Sequence, residues 1–167
     1  MDCTIGKYTL IIPHNILRKL YLFIQDKGQN ESGGILMGYI ANDGYRMKIH
    51  SITTPSKFDK ATRTSFLRDK DRAQEIADSV FEKTQGMVVY VGEWHTHPED
   101  NPRPSGQDKK MIKEQFQNEI CAPIIILMIL GLKNLYIGLY NGMQIEGANM
   151  PLCDLMIEES HIANFRL

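Results

Sequence analysis

The chain has almost no charge imbalance: 19 Lys and Arg stand against 20 Asp and Glu, for a formal net charge of -1. Bulk attraction to nucleic acid favours a clearly basic face, so a nucleic-acid partner is not expected. Cysteine is scarce. Cys3, Cys121 and Cys153 are far apart and odd in number, which argues against a disulfide framework or a Cys-x-x-Cys metal clip and for reduced thiols in a cytoplasmic protein. Long apolar runs are missing too. The longest, Ala122 to Leu132, falls short of the about 20 residues needed to cross a bilayer. The start lacks the basic-then-apolar order of a secretory signal, so no membrane partner is expected. No internal repeat or low-complexity block appears. What remains is a chain of 167 residues, 43% hydrophobic, enough for one sizeable core in one domain.

Periodicity divides that domain into alternating elements. Lys7 to Ile12 reads as a strand stopped by Pro13. Ile16, Leu17, Leu20, Phe23 and Ile24 then carry the spacing of one buried helical face over His14 to Lys27, closed by Gly28. Glu31 to Ile40 and Tyr45 to Thr53 are extended runs joined by the hairpin signal Asn42-Asp43-Gly44. Thr54 to Arg68 is polar and irregular and reads as a surface loop. Asp69 to Lys83 is a second helix, and Met87 to Val91 a buried strand. A loop punctuated by Pro98, Pro102 and Pro104 leads to a third helix with Ser105 as its N-cap. Ile124 to Leu130 and Leu135 to Tyr140 are further strands, and Cys153 to Phe165 is weakly helical. The order predicts a single α/β sandwich, helices packed on a mixed sheet. Residues 1–150 form the domain, and 151–167 a helical tail packed on it.

Gly92-Glu93-Trp94-His95-Thr96-His97-Pro98, followed by Pro104-Ser105-Gly106-Gln107-Asp108, carries the chemistry. Side chains alternate along a strand, so His95 and His97 point to the same side and can share one metal. Catalytic zinc commonly takes three protein ligands and keeps a fourth position for water. Asp108 is the natural third ligand, since a carboxylate in the first turn of a helix is stabilised by the macrodipole. Ser105, at the same helix start, can donate a hydrogen bond to an oxygen gaining negative charge. Glu31, opening the Glu31-Ser32-Gly33-Gly34 segment, is the best candidate for the base, with the two glycines allowing close backbone approach. The alternatives are that Glu31 caps or pairs near the first helix, and that Ser105 is an N-cap and nothing more. Glu93 shares parity with the histidines and either orients an imidazole or sits at the sheet edge. Trp94, on the other face, reads as packing. The Lys and Arg residues between Lys57 and Arg72 read as a solvated face or a dock for an acidic partner.

An upstream Glu, then His-x-His-Pro, then Ser-x-x-Asp resembles the JAMM (JAB/MPN+) metalloproteases. These are zinc isopeptidases that remove ubiquitin or ubiquitin-like proteins from conjugates. The resemblance runs from about Lys7 to Tyr140, and every required position is filled. It implies a cytidine-deaminase-like α/β/α sandwich and one zinc ion per chain held by His95, His97 and Asp108. It further implies Glu31 as general acid/base to a metal-activated water and Ser105 as stabiliser of the tetrahedral intermediate. The size, the Gly-Glu-Trp-His-Thr-His-Pro form and Arg63-Thr64-Ser65-Phe66 are most similar to stand-alone bacterial JAB proteins of antiphage CBASS operons. That implies a ubiquitin-like protein or conjugated nucleotidyltransferase as substrate, ubiquitin-activating-like and conjugating-like enzymes as partners, and a role in antiviral defence. The implied substrate tail adds as a strand beside the edge near Phe58 to Phe66. A non-proteolytic JAMM-like module of the DNA-repair-associated type is the alternative, but it should carry a basic surface. A zinc deaminase needs Pro-Cys-x-x-Cys, which is absent.

Overall fold

The computed structural model of the chain describes residues 1–118 and 122–153. Ten strands and three helices follow in the order β1 (Asp2–Ile5), β2 (Tyr8–Ile11), α1 (His14–Tyr21), β3 (Gly33–Ile40), β4 (Arg46–Ile52), β5 (Lys60–Thr62), β6 (Ser65–Leu67), α2 (Lys70–Lys83), β7 (Val89–Thr96), α3 (Gly106–Asn118), β8 (Ile125–Leu130), β9 (Asn134–Tyr140) and β10 (Ile145–Pro151). Eight strands form one mixed sheet in the order β1-β2-β4-β3-β7-β8-β9-β10, and β5 pairs with β6 in a separate hairpin. Within the large sheet, β2/β4 and β7/β8 are the parallel pairs.

The unbroken apolar run of β8 requires cover on both faces, and every one of its residues is buried. Ile126, Met128 and Leu130 join Leu36, Trp94 and the α1 residues Ile16, Leu17 and Leu20 in one core. Ile125, Leu127 and Ile129 face the other way onto Ile112 of α3. Ile35 and Met37 meet Ala73 of α2 on that same second face. One helix on one side of the sheet and two on the other make the expected α/β/α sandwich.

Several boundaries move. The first helix ends at Tyr21, well before Gly28, which takes a positive φ of 98° in the loop beyond. Phe23 and Ile24 keep helical spacing in sequence but leave the helix through tighter turns, their amides bonding to the carbonyls of Leu20 and Tyr21. The expected loop over Thr54 to Arg68 contains the β5–β6 hairpin, whose strands are too short and polar to show a period. Strands β1 and β10 were not expected. The first is a short edge pair turned back at Gly6, and the second carries little apolar signal. Strand β7 continues past Val91 to Thr96, taking in His95, because the β3 pairing and the parallel β8 pairing both extend there. Of the expected tail, residues 154–167 lie outside the described residues.

A register shift between Leu36 and Met37 marks an extra residue in β7, and Gly92 sits beside it. A Cβ on Gly92 would collide with the backbone of Ile126 in β8, including its carbonyl oxygen. Gly92→Ala should therefore cost about 3 kcal/mol. Urea unfolding would show this as a lower midpoint at unchanged slope.

Candidate metal centre and active site

The end of β7 and the residue after it place His95 and His97 on the face shared with α2 and α3, while Trp94 and Thr96 face α1. Trp94 is packing, as expected: it is buried against Phe23 at 5.4 Å and donates its indole N–H to the Thr53 carbonyl. Space is short at the two glycines after Ser32 as well. A Cβ on Gly33 would meet the Phe66 ring and the Trp94 carbonyl, and one on Gly34 would meet Thr53. Close backbone approach is thus the reason for both.

His95 and His97 bring their Nε2 atoms to 3.1 Å from each other. Asp108, from the first turn of α3, sets Oδ1 3.3 Å from His95 Nε2 and Oδ2 3.6 Å from His97 Nε2. These three side chains form a cluster able to hold a metal ion. Ser105 and Asp108 fix the helix start reciprocally. The Ser105 amide donates to Asp108 Oδ2 at 2.7 Å, and the Asp108 amide donates to Ser105 Oγ at 3.1 Å. The Ser105 hydroxyl also bonds the Asp108 carboxylate, and both side chains line the cleft, so the cap itself stands at the site.

The electrostatics suit metal binding. Burial, aided by the charge of His95, lowers the His97 pKa and keeps an imidazole lone pair available, against the opposing pull of Asp108 and Glu99. Burial alone would raise Asp108, but its hydrogen bond to His95, the charge of His95 and the bonds from Ser105 hold it well below the ordinary carboxylate range. Glu31 moves the other way. Burial pushes it up to about 7, with Asp108 adding to the rise and His95 opposing it. Glu31, His95, His97, Ser105 and Asp108 line one cleft of about 520 Å³. All five residues singled out from sequence meet there.

Glu93 has a different partner from either one expected. It is buried and accepts a forked pair of bonds from Arg68, Nη2 at 2.7 Å and Nε at 3.1 Å, plus the Tyr90 hydroxyl at 2.9 Å. Arg68, expected on a solvated face, is instead the anchor that holds the base of the β5–β6 hairpin to β7. Sequence parity put Glu93 on the right face, but no local pattern pairs it with a residue in a polar loop.

A profile of prokaryotic homologs of the JAB domain matches residues 13–138. The chain belongs to this JAB family. Among similar proteins, one from Escherichia coli (strain TW11681) called CD-NTase/cGAS isopeptidase is 37% identical over 108 residues. That alignment covers 65% of this chain and 66% of the relative's length. A Pseudomonas aeruginosa protein of the same description is 37% identical over 112 residues, covering 67% and 70%. A probable metalloprotease of Sinorhizobium fredii is 28% identical over 102 residues, covering 60% and 62%. In fold, this JAB chain resembles a Desulfitobacterium hafniense protein solved in solution, with a TM-score of 0.58 at 18% identity, over 85% of this chain and 90% of that one. No helix among the described residues is long and apolar enough to cross a membrane.

The raised pKa of Glu31 has a measurable sign in the metal-free protein. A carboxyl whose folded pKa lies above its ordinary 4.5 contributes stability in its protonated form, and loses that contribution as pH rises through about 7. Glu31→Gln cannot ionise. Without metal it should melt above the parent chain at pH 8, and the gap should close at pH 4. Equal melting temperatures across that range would mean that Glu31 is solvated.

Proposed function

We propose that the chain is a zinc-dependent isopeptidase. It hydrolyses the bond after the C-terminus of a ubiquitin-like protein, or of a nucleotidyltransferase conjugated in the same manner, as part of bacterial antiviral defence. The observation that carries this reading is the convergence of two imidazoles and one carboxylate on a second carboxyl group poised near neutrality. The 3.1 Å between the two imidazole nitrogens, and the 3.3 and 3.6 Å from them to the two Asp108 oxygens, bring all three side chains within reach of one ion. Donors about 2.0–2.1 Å from zinc lie about 3.3 Å from one another. The set has two nitrogens, one carboxylate and no thiolate, the composition of a catalytic zinc site with a position left open. Zinc held by His95, His97 and Asp108 would lower the pKa of water to about 7 and polarise the substrate carbonyl.

The chain's own residues do the rest. Glu31, a buried carboxyl lining the same cleft, takes the proton from the attacking water and returns it to the leaving amine. Ser105, which lines the cleft, turns its hydroxyl from Asp108 to the carbonyl oxygen as charge builds there. Strand β6 lines the cleft beside these groups, and its pairing with β5 is its only ladder among the described residues. An extended substrate tail adds along the other edge of β6, delivering its terminal carbonyl to the cluster. The proposed receiving edge is then Ser65–Leu67, which overlaps the end of the expected Phe58 to Phe66 stretch and extends one residue past it. The full acid/base set supports hydrolysis over the non-proteolytic alternative. The relatives called CD-NTase/cGAS isopeptidase support a CD-NTase conjugate as the substrate class. Activating-like and conjugating-like enzymes of the same system would supply it.

Elemental mass spectrometry should find about one zinc per chain, lost in His95→Ala. A folded chain that stays metal-free after reconstitution would overturn the reading. Against a conjugate joined through a lysine side chain, Glu31→Gln should keep its zinc and lose about 10²–10⁴-fold in kcat. Ser105→Ala should lose about 10²–10³-fold with little change in KM. Full activity in either variant would remove that residue from the mechanism.

A further inference from the structure

Gln25 and Thr96 are buried, at 2% and 0% exposure, and neither takes part in the chemistry above. A primary amide brings two N–H donors and one carbonyl acceptor, and all three are used here. Gln25 Nε2 donates to the carbonyls of Gln29 at 2.9 Å and Arg63 at 3.1 Å. Its Oε1 accepts from the Thr96 hydroxyl at 3.2 Å. Both backbone partners are carbonyls, which can only accept, so the amide has one satisfactory orientation. The same Thr96 hydroxyl accepts from the Ser32 amide at 3.0 Å. The Thr96 amide donates to the Ser32 carbonyl at 2.9 Å. The ring closes at Glu31, whose amide donates to the Thr62 carbonyl at 2.7 Å.

Three pieces of the proposed site therefore meet on two side chains: the segment carrying Glu31, the β7 residue between the two histidines, and the turn of the β5–β6 hairpin. Glu31 precedes Gly33, the first residue of β3 in the ladder, so strand pairing does not fix its backbone. The hairpin belongs to no larger sheet. Apolar packing is non-directional and leaves sliding room, whereas a satisfied, desolvated hydrogen-bond ring fixes position. We propose that Gln25 and Thr96 are positioning residues that set the Glu31 carboxyl and the substrate-receiving hairpin in register with the histidines as one unit. This rests on the reading of Glu31 as the base and β6 as the receiving edge.

Thr96→Val keeps the shape and removes the hydroxyl, while Thr96→Ser keeps the hydroxyl. With a lysine-linked conjugate as substrate, Thr96→Val should retain its zinc and lose about 10²-fold in kcat/KM, mostly in kcat. Thr96→Ser should recover most of that loss. Gln25→Met frees the hairpin turn but spares the Thr96–Ser32 bond, so it should raise KM more than it lowers kcat. Hydrogen exchange on the metal-free protein supplies a readout independent of turnover. In Thr96→Val, amides of residues 29–33 and 62–66 should exchange about tenfold faster while those of β8 keep their parent rates. Parent-like exchange at both segments overturns the proposal. So does acceleration spread evenly over the sheet, or a Thr96→Ser as slow as Thr96→Val. If Thr96→Val does not fold, Gln25→Met carries the same comparison. A parent chain that cleaves no conjugate refutes the isopeptidase reading, and the exchange experiment still decides whether the ring fixes these segments.

Discussion

Two imidazole nitrogens 3.1 Å apart, both within 3.6 Å of a carboxylate and mostly shielded from water, are an arrangement no chain adopts without support. At most one proton can sit between the two nitrogens, and the desolvated lone pairs gain little from each other. The surrounding structure works to hold them. A central strand paired on both sides fixes the histidines, and a reciprocally capped helix start fixes the aspartate. Three glycines give the backbone clearance that these approaches need. The result is a rigid set of donors whose natural completion is a cation.

The same region separates two kinds of cohesion. The sheet and its helices are held by apolar burial on both faces, and this part tolerates conservative exchange of side chains. The β5–β6 hairpin is held differently, by directional polar contacts at each end. At its base the Arg68 guanidinium grips Glu93, and at its turn the Thr62 and Arg63 carbonyls accept from Glu31 and Gln25. Asp59 adds a third tie, accepting from the amides of Ser56 and Asp69. A small sheet with little core of its own can be oriented only in this way.

How much of this was legible in the sequence follows from the range of each signal. Periodicity is local, so α2, α3, β8 and β9 were readable to within a few residues. The His-x-His parity and the helix cap are local too, which is why His95, His97, Ser105 and Asp108 were named before any fold was known. Glu31 was readable through its glycine neighbours and the family resemblance rather than through a contact. Arg68, Gln25 and Thr96 were not readable as partners. Their bonds span 25, 38 and 71 positions, and no local pattern pairs residues that far apart. The early end of α1 was hidden because Phe23 and Ile24 meet the core from a turn at positions that also suit a helix.

The two kinds of support differ in how they yield. His95 sits on a strand flanked by neighbours, and His97, one residue past its end, is tied by its amide to the Leu130 carbonyl of β8, so moving either disturbs the centre of the sheet. Asp108 sits at the free end of a helix, reached through a loop broken by Pro98, Pro102 and Pro104. Loss of an ion from this centre would then go by way of the Ser105–Asp108 cap, the one support outside the sheet, and not by the unfolding of the domain.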